Sequence, residues 1–203
     1  MRAKLGGFLQ NPSYTLRRVK KSDKSEIALL TRAIAYHKKP DIKQAKANIN
    51  ALLSLRPNDP YYTELKGQIL LESREFAAAV PVYQRAVKLA PNEPLFLADY
   101  GRALLAAKQY KSALSVLKKA YGRDGANPRL LRNLAQAYAH AGNNGMASSA
   151  TAERYAVLGR LSDAGIHANR AMGLLPRGSS AWLRAQDISI AAERAGAKKK
   201  RKR

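Results

Sequence analysis

The residue types that most often carry out catalysis or bind metals are scarce in this chain. It has three histidines and no cysteine among 203 residues. His37, His140 and His167 lie far apart, and none has another histidine three or four residues away. The HExxH, GxSxG and Walker-type motifs, which indicate metalloprotease, hydrolase and nucleotide chemistry, do not occur. The sequence therefore predicts that this chain is not an enzyme by itself and holds no metal or cofactor.

Arginine offers the clearest binding chemistry, because a guanidinium group can hold a carboxylate through two parallel hydrogen bonds. Arg102, Arg129 and Arg132 could form a basic cluster of this kind if the fold brings them to one face. The alternative interpretation is a solvated helix surface that carries arginines by chance. Whether these arginines form a binding cluster or a solvated surface therefore depends on the helices that carry them.

Those elements repeat every 34 residues. Position 8 of the repeat holds Ala33, Gly67, Gly101 and Ala135, and position 20 holds Ala45, Ala79, Ala113 and Ala147. Small residues at these positions let the two helices of a hairpin approach closely. Pro60, Pro94 and Pro128 begin successive units, where proline suits the first helical turn, and Asp41, Asp59 and Asn127 are predicted N-caps. This pattern is typical of tetratricopeptide (TPR) repeats.

The sequence thus predicts an all-α fold, a right-handed α-α superhelix of TPR hairpins with a C-terminal capping helix. Residues 1–25 are predicted to form a short helix over about Arg2–Leu9 and then an extended basic linker. The TPR solenoid is predicted over residues 26–195, and residues 196–203 as a disordered basic tail. The predicted repeats are 26–59, 60–93, 94–127, 128–158 and 159–176, followed by a cap helix at 179–195.

The second helix of the fourth repeat departs from the pattern. Thr151 and Arg154 stand at positions 24 and 27, where earlier repeats place apolar or small residues. The same helix could therefore also serve as the first helix of a new unit.

Charge is concentrated at the two ends of the chain. The formal net charge is +23, of which residues 1–25 carry +6 and residues 194–203 carry +7. A nucleic-acid site on the folded repeats would instead concentrate the charge on one face. The tail could bind nucleic acid, bind anionic lipid headgroups, or simply aid solubility.

The surface expected to bind partners is the concave face, which TPR superhelices line with positions 2, 5, 9, 12 and 13 of the first helix. We predict partner contacts at Tyr61, Glu64, Gln68, Arg102, Arg129, Arg132, Gln136 and His140. Leu5, Phe8 and Leu9 are apolar with nothing local to cover them, so they are predicted to dock on the first repeat or on another domain.

Several longer strings resemble one particular family. RAKLGGFLQNPSYTLRR, RAIAYHKKPDIKQA, NDPYYTELKGQILLES, AYGRDG and LLPRGSSAWLRAQDI are similar to the C-terminal half of bacterial TPR-containing zinc metalloproteases. These are periplasmic HExxH enzymes related to the β-barrel assembly-enhancing protease. The resemblance implies a TPR region that packs on a protease domain and helps to present outer-membrane protein clients. The family's zinc-binding motif is not in this chain, so no catalytic or zinc-binding residue can be transferred to it.

The functional prediction combines these observations. We expect a non-catalytic protein-interaction scaffold whose partner is a protein or peptide, such as a metalloprotease domain or an outer-membrane protein client. The alternative is an RNA- or anionic-membrane-binding protein driven by its basic ends, and weak contacts of that kind are expected for the tail. The resemblance implies a periplasmic location. A cytoplasmic location is the alternative, because residues 1–25 contain no signal peptide.

Overall fold

The computed structural model describes residues 11–201, with the side chains of residues 11–197. Within this part of the chain there are eleven α-helices and no strand, which confirms the predicted all-α class. The helices are α1 (Pro12–Arg18), α2 (Glu26–Lys38), α3 (Ile42–Leu55), α4 (Pro60–Glu72), α5 (Phe76–Leu89), α6 (Pro94–Ala106), α7 (Tyr110–Tyr121), α8 (Pro128–His140), α9 (Asn144–Val157), α10 (Leu161–Leu174) and α11 (Ser180–Arg201).

Polar side chains before the helices fix where several of them begin. The Asp59 carboxylate accepts hydrogen bonds from the backbone N–H groups of Tyr61 and Tyr62, both at 2.9 Å. Asp41 and Asn127 cap α3 and α8 in the same way. All three predicted N-caps are therefore confirmed. Each satisfies backbone donors that the first helical turn leaves without a partner.

The turn between the two helices of a hairpin uses a left-handed backbone residue at repeat position 15. Arg74, Lys108 and Gly142 have φ angles of 64°, 60° and 73°. The left-handed region is unfavourable for residues with a Cβ atom and costs glycine little. Only the third of these turns has the residue that this backbone conformation favours.

The chain divides into two compact units, and the division falls between Phe96 and Leu97 within α6. In the first unit α1 packs on α2, and α2–α5 pack in sequence against one another. Its core is built from apolar residues of the first two hairpins. The buried cluster comprises Leu29, Leu30, Ala33, Ile34, Ala45, Ile49, Leu52, Leu65 and Ile69.

In the second unit α9 is shared between neighbouring layers. It packs against α8 on one side and against α10 and α11 on the other. A core of small residues, Ala152, Ala168, Ala171 and Ala185, joins these last three helices. The Trp182 indole N–H donates a 3.1 Å hydrogen bond to the Met172 carbonyl, which holds α11 against the end of α10.

Close helix contacts occur at the predicted small positions of the second and third repeats. A Cβ atom on Gly67 would lie 3.0 Å from the Tyr83 ring, and one on Gly101 would lie 2.5 Å from the Leu117 side chain. Ala79 is completely buried. In the fourth repeat Ala135 and Ala147 are only partly buried.

Two predictions about the ends of the chain are wrong. The segment predicted as an extended linker contains α1, because Asn11 caps it with a 2.9 Å hydrogen bond from the Ser13 N–H and Pro12 suits its first turn. Helix α11 extends to Arg201, so the disorder predicted from residue 196 is wrong for residues 196–201. Alanine, lysine and arginine are strong helix formers, so they continue a helix that has already begun. The helix predicted over Arg2–Leu9 lies outside the described residues.

Candidate functional site

Three hairpins expose one large apolar side chain in the first turn of their first helix. Ile27, Tyr61 and Leu95 stand at repeat position 2 and are 67%, 51% and 48% exposed. All three belong to the first unit. The Tyr61 ring meets the Phe96 ring edge-on, with centroids 5.5 Å apart, so Tyr61 is held in place while half of it stays open. We call Ile27, Tyr61 and Leu95 the position-2 row, and its exposed apolar surface is not used by the core.

The other predicted partner-binding residues of the first unit are less open. Glu64 is only 7% exposed, so a partner could reach little of it. The Gln68 amide N–H donates a 3.0 Å hydrogen bond to Glu72. The second oxygen of Glu72 lies 2.9 Å from Nε2 of His37, whose side chain is 7% exposed. Gln68 therefore belongs to a polar network joining the ends of α2 and α4, and this network leaves His37 little freedom to act in chemistry.

Arg102 does not stand as an open arginine in the second unit. Its guanidinium lies 3.2 Å from the Asp99 carboxylate one helical turn earlier, and the Asp99 side chain is only 8% exposed. An arginine engaged with a buried carboxylate is poorly placed to capture another one. Of the predicted cluster of Arg102, Arg129 and Arg132, Arg102 is therefore already paired within its own helix.

Arg129 and Arg132 do come together, and Arg154 joins them. Arg154 is one of the two residues at which the fourth repeat departs from the repeat pattern. Arg129 and Arg132 line a depression of about 180 Å³ between the start of α8 and the end of α9. Its remaining lining residues are Pro128, Arg154 and Leu158. We call Arg129, Arg132 and Arg154 the arginine triad. The signal that could have revealed Arg154 was its occurrence at position 27, where earlier repeats hold the fully buried Leu52, Ala86 and Ala120.

The last two predicted partner-binding residues lie on the exposed surface of the second unit. Gln136 is exposed on α8, and His140 is exposed at its end. The His140 ring stacks on Tyr110 with centroids 3.8 Å apart. His167 stacks on Tyr155 at 5.5 Å. The predicted docking residues Leu5, Phe8 and Leu9 lie outside the described part of the chain, so they stay a prediction.

Arg32 anchors the segment before α2, a role that its position in the sequence does not reveal. Arg32 is 5% exposed and donates hydrogen bonds to the carbonyls of Lys20 and Asp23, at 2.8 and 2.6 Å, and to the Asn48 side chain at 2.9 Å. A cavity of about 400 Å³ beside it is lined partly by Lys21 and Lys24. The anchor explains how α1 and the basic segment after it stay on the first hairpin.

Each unit also contains a tyrosine–glutamate hydrogen bond between helices. The Tyr62 hydroxyl donates to Glu26 at 2.6 Å, and the Tyr121 hydroxyl donates to Glu153 at 2.6 Å. Burial, followed by the hydrogen bond to the neighbouring carboxylate, raises the pKa of both tyrosines to about 12. Glu153 also accepts a hydrogen bond from Arg184 at 3.2 Å, so it joins α7, α9 and α11. These groups stabilise the fold by joining neighbouring helices.

Metal and membrane chemistry find no support among the residues that the structure describes. Within residues 11–201 no group of three or more histidine, aspartate or glutamate side chains is placed to hold a metal ion. No helix in the same range is long and apolar enough to cross a bilayer.

Comparisons with known proteins agree on the fold. Tetratricopeptide repeat models match residues 27–94 and 104–153. No match was found among curated proteins. Among solved structures, "MamA 41-end from Desulfovibrio magneticus RS-1" has a TM-score of 0.67 and 20% identity, over 78% of this chain and 90% of that chain. "MamA MSR-1 C2" has a TM-score of 0.65 and 17% identity, over 78% of this chain and 94% of that one. "Crystal structure of MamA protein" has a TM-score of 0.64 and 15% identity, over 85% and 94%.

At these identities the structural likeness establishes the fold alone. None of these three proteins is named as a metalloprotease, so the relation implied by the sequence strings stays a prediction. The repeat matches, the helix pairs and the buried small residues agree with one another. The chain is therefore built of tetratricopeptide repeats, which indicate a protein-interaction scaffold.

Proposed function

We propose that this chain is a non-catalytic scaffold whose first unit binds a folded protein partner through the position-2 row. The observation that carries the proposal is the exposure of Ile27, Tyr61 and Leu95 at one repeat position in three successive hairpins. When a partner covers apolar surface of this kind, the burial favours binding by roughly 25 cal/mol per Å². Aromatic and aliphatic anchors are also the residues that commonly dominate protein interfaces.

The partner proposed is the catalytic domain of an HExxH zinc metalloprotease, and the setting is the periplasm. The sequence strings similar to the C-terminal half of such enzymes support this choice. In that arrangement the protease domain supplies the zinc chemistry, and this chain supplies the contact surface and presents outer-membrane protein clients. The tetratricopeptide fold supports the scaffold role, and the identity of the partner rests on the resemblance.

The test is a calorimetric titration of this chain with the separately expressed catalytic domain of such a protease from the same genome. We expect measurable binding that weakens at least about tenfold in the triple variant Ile27→Ser, Tyr61→Ser, Leu95→Ser, because its apolar anchors are gone. The matched control is Ile166→Ser, Leu174→Ser, Leu183→Ser, which removes three exposed apolar side chains from the second unit. This control should bind within about twofold of the parent.

Two results would count against the proposal. Equal weakening in both triple variants would mean that the position-2 row is not the contact surface. No binding of the parent chain would mean that the metalloprotease domain is not the partner.

A further inference from the structure

We propose that the arginine triad is a carboxylate-binding pocket for an acidic peptide segment of a protein partner. This pocket lies in the second unit and goes beyond the position-2 row of the first. It is built where the fourth repeat departs from the pattern of the preceding ones. Leu52, Ala86 and Ala120 close the equivalent hairpin ends at position 27 and are completely buried. Arg154 replaces them in the fourth repeat, and a depression of about 180 Å³ is present there.

The positive charge of the pocket is not neutralised by its neighbours. Within the described residues, none of Arg129, Arg132 and Arg154 forms an ion pair, and Arg154 only lies over the Tyr155 ring at 5.4 Å. Asp124, just before α8, accepts a 3.4 Å hydrogen bond from Asn127. Other carboxylates of the second unit also have other partners. Glu153 binds Tyr121 and Arg184, Asp163 binds Arg160, and Asp99 binds Arg102.

The helix geometry adds to this field. Arg129 and Arg132 lie in the first turns of α8, a 13-residue helix whose N-terminus carries a partial positive charge of its own. Arginine in the first turn of a helix is unfavourable to the helix, because like charges meet there. An anion in the pocket would relieve this repulsion and would bind three guanidinium groups at once.

The lining favours a carboxylate on a peptide over a phosphate on a nucleic acid. Leu158, which is 45% exposed, and Pro128 give the pocket an apolar wall. This wall suits the aliphatic stem of a glutamate or an adjacent apolar side chain. A nucleic-acid strand would instead need a run of cations along several phosphates, with bases stacked on aromatic rings. A pocket of this volume has room for one or two side chains.

The test is fluorescence anisotropy with a defined probe at about 150 mM salt, where long-range attraction by the basic chain is largely screened. The probe is the labelled peptide Gly-Ser-Gly-Ser-Ala-Leu-Glu-Glu with a free terminal carboxylate. Its twin carries Gln-Gln and a terminal amide. We expect the acidic peptide to bind at least about tenfold more tightly than its twin, since only it can accept bidentate arginine hydrogen bonds.

Variants of the chain then locate the site. Arg129→Gln, Arg132→Gln, Arg154→Gln should weaken binding of the acidic peptide at least about tenfold. The matched control, Arg170→Gln, Arg177→Gln, Arg194→Gln, removes the same charge from exposed positions of the same unit, and it should change the affinity less than about twofold. Arg154→Ala restores the residue that the repeat carries at Ala86 and Ala120, so it should fold well and still lose most of the binding.

Three outcomes would overturn the proposal. Equal losses in the two triple variants would mean general attraction to a basic protein. Unchanged binding in Arg154→Ala, with circular dichroism showing a folded chain, would mean that the pocket is not the site. Pocket-dependent binding of labelled oligouridylate without pocket-dependent binding of the peptide would assign the pocket to phosphate.

Discussion

Each hairpin depends on single residues that are small enough for two helices to touch. Ala79 is completely buried at position 20, and Gly67 leaves room for the Tyr83 ring, which would lie 3.0 Å from any added Cβ atom. Protein cores are packed so densely that one extra side-chain branch must displace its neighbours. The stability of the hairpin is therefore sensitive to size at these positions and tolerant at the neighbouring ones.

Ala79→Leu should lower the free energy of unfolding by about 1–3 kcal/mol, because the larger side chain overpacks the contact between α4 and α5. Ala78→Leu is the matched control, since Ala78 is the exposed neighbour on the same helix. It should leave stability within about 0.5 kcal/mol of the parent. Urea denaturation measures both, and a neutral Ala79→Leu would show that the repeat register is wrong.

The tyrosine–glutamate hydrogen bonds predict a loss of stability at alkaline pH. The pKa of Tyr121 is raised from 10.0 to about 12, chiefly by burial and then by its hydrogen bond to Glu153. The neutral hydroxyl is therefore favoured in the folded state. Its contribution to stability is complete below pH 10, the ordinary pKa in the unfolded chain, and is lost as the pH rises toward 12.

Thermal denaturation between these pH values, compared with Tyr121→Phe, isolates this contribution. The parent chain should lose more stability than the variant, because the variant has no hydroxyl to ionise there. Titration of tyrosinate absorbance should show late-ionising tyrosines in the parent and one fewer in the variant. Parallel loss of stability in the two proteins would mean that Tyr121 titrates normally.

At the level of the helices and turns, two turns between paired helices place a residue other than glycine in the strained left-handed backbone region. Lys108 has a φ of 60° at a turn where the next repeat uses Gly142. Lys108→Gly should raise the free energy of unfolding by roughly 0.5–1 kcal/mol, because the relieved left-handed strain exceeds the added entropy of the unfolded chain. Chemical denaturation would measure the change.

Lys118→Gly is the control for that experiment. Lys118 is exposed on α7, in an ordinary right-handed helix. There the same replacement should lower stability by about 1 kcal/mol. A loss of stability in both variants would contradict the assignment of strain to the turn.

The helices that the sequence predicted well are those with a repeating signal. Pro60, Pro94 and Pro128 begin α4, α6 and α8, and caps such as Asp59 act through local hydrogen bonds that sequence spacing reveals. The helix α1 was missed because Asn11-Pro12 reads equally as a turn. The extent of α11 differs from the predicted disordered tail because the alanine, lysine and arginine residues there favour helix once a helix has begun.

Contacts between helices explain why parts of the candidate site were not predicted from the sequence. Arg154 joins Arg129 and Arg132, and the 34-residue spacing alone does not predict this contact between two helices. The pairing of Asp99 with Arg102 is instead local to α6 and follows from their i,i+3 spacing. Arg32 resembled any helical arginine until its three hydrogen bonds to Lys20, Asp23 and Asn48 were visible. The periodicity of the sequence predicts which face of a helix a residue lies on. It does not predict which side chains pair between helices, because that depends on rotamers and on the neighbouring helices.

At the scale of the whole molecule, the chain is expected to bind protein without performing chemistry. Purified chain should not cleave casein or unfolded outer-membrane protein, with or without added zinc. Zinc proteolysis needs about three protein ligands around an open position and a general base. His37, His140 and His167 are instead engaged separately with Glu72, Tyr110 and Tyr155. Chelator-sensitive cleavage by the isolated chain would contradict the scaffold proposal.

The salt dependence of partner binding distinguishes a protein-binding scaffold from a nucleic-acid-binding protein. The affinity of this chain for the separately expressed protease catalytic domain should be measured by calorimetry between about 50 and 200 mM salt, alongside oligouridylate. If apolar contacts at the position-2 row dominate, affinity for the domain should change less than about threefold and exceed that for the RNA throughout. A fall of about a thousandfold for the domain, together with tighter binding of the RNA, would contradict the scaffold account and favour a nucleic-acid-binding protein.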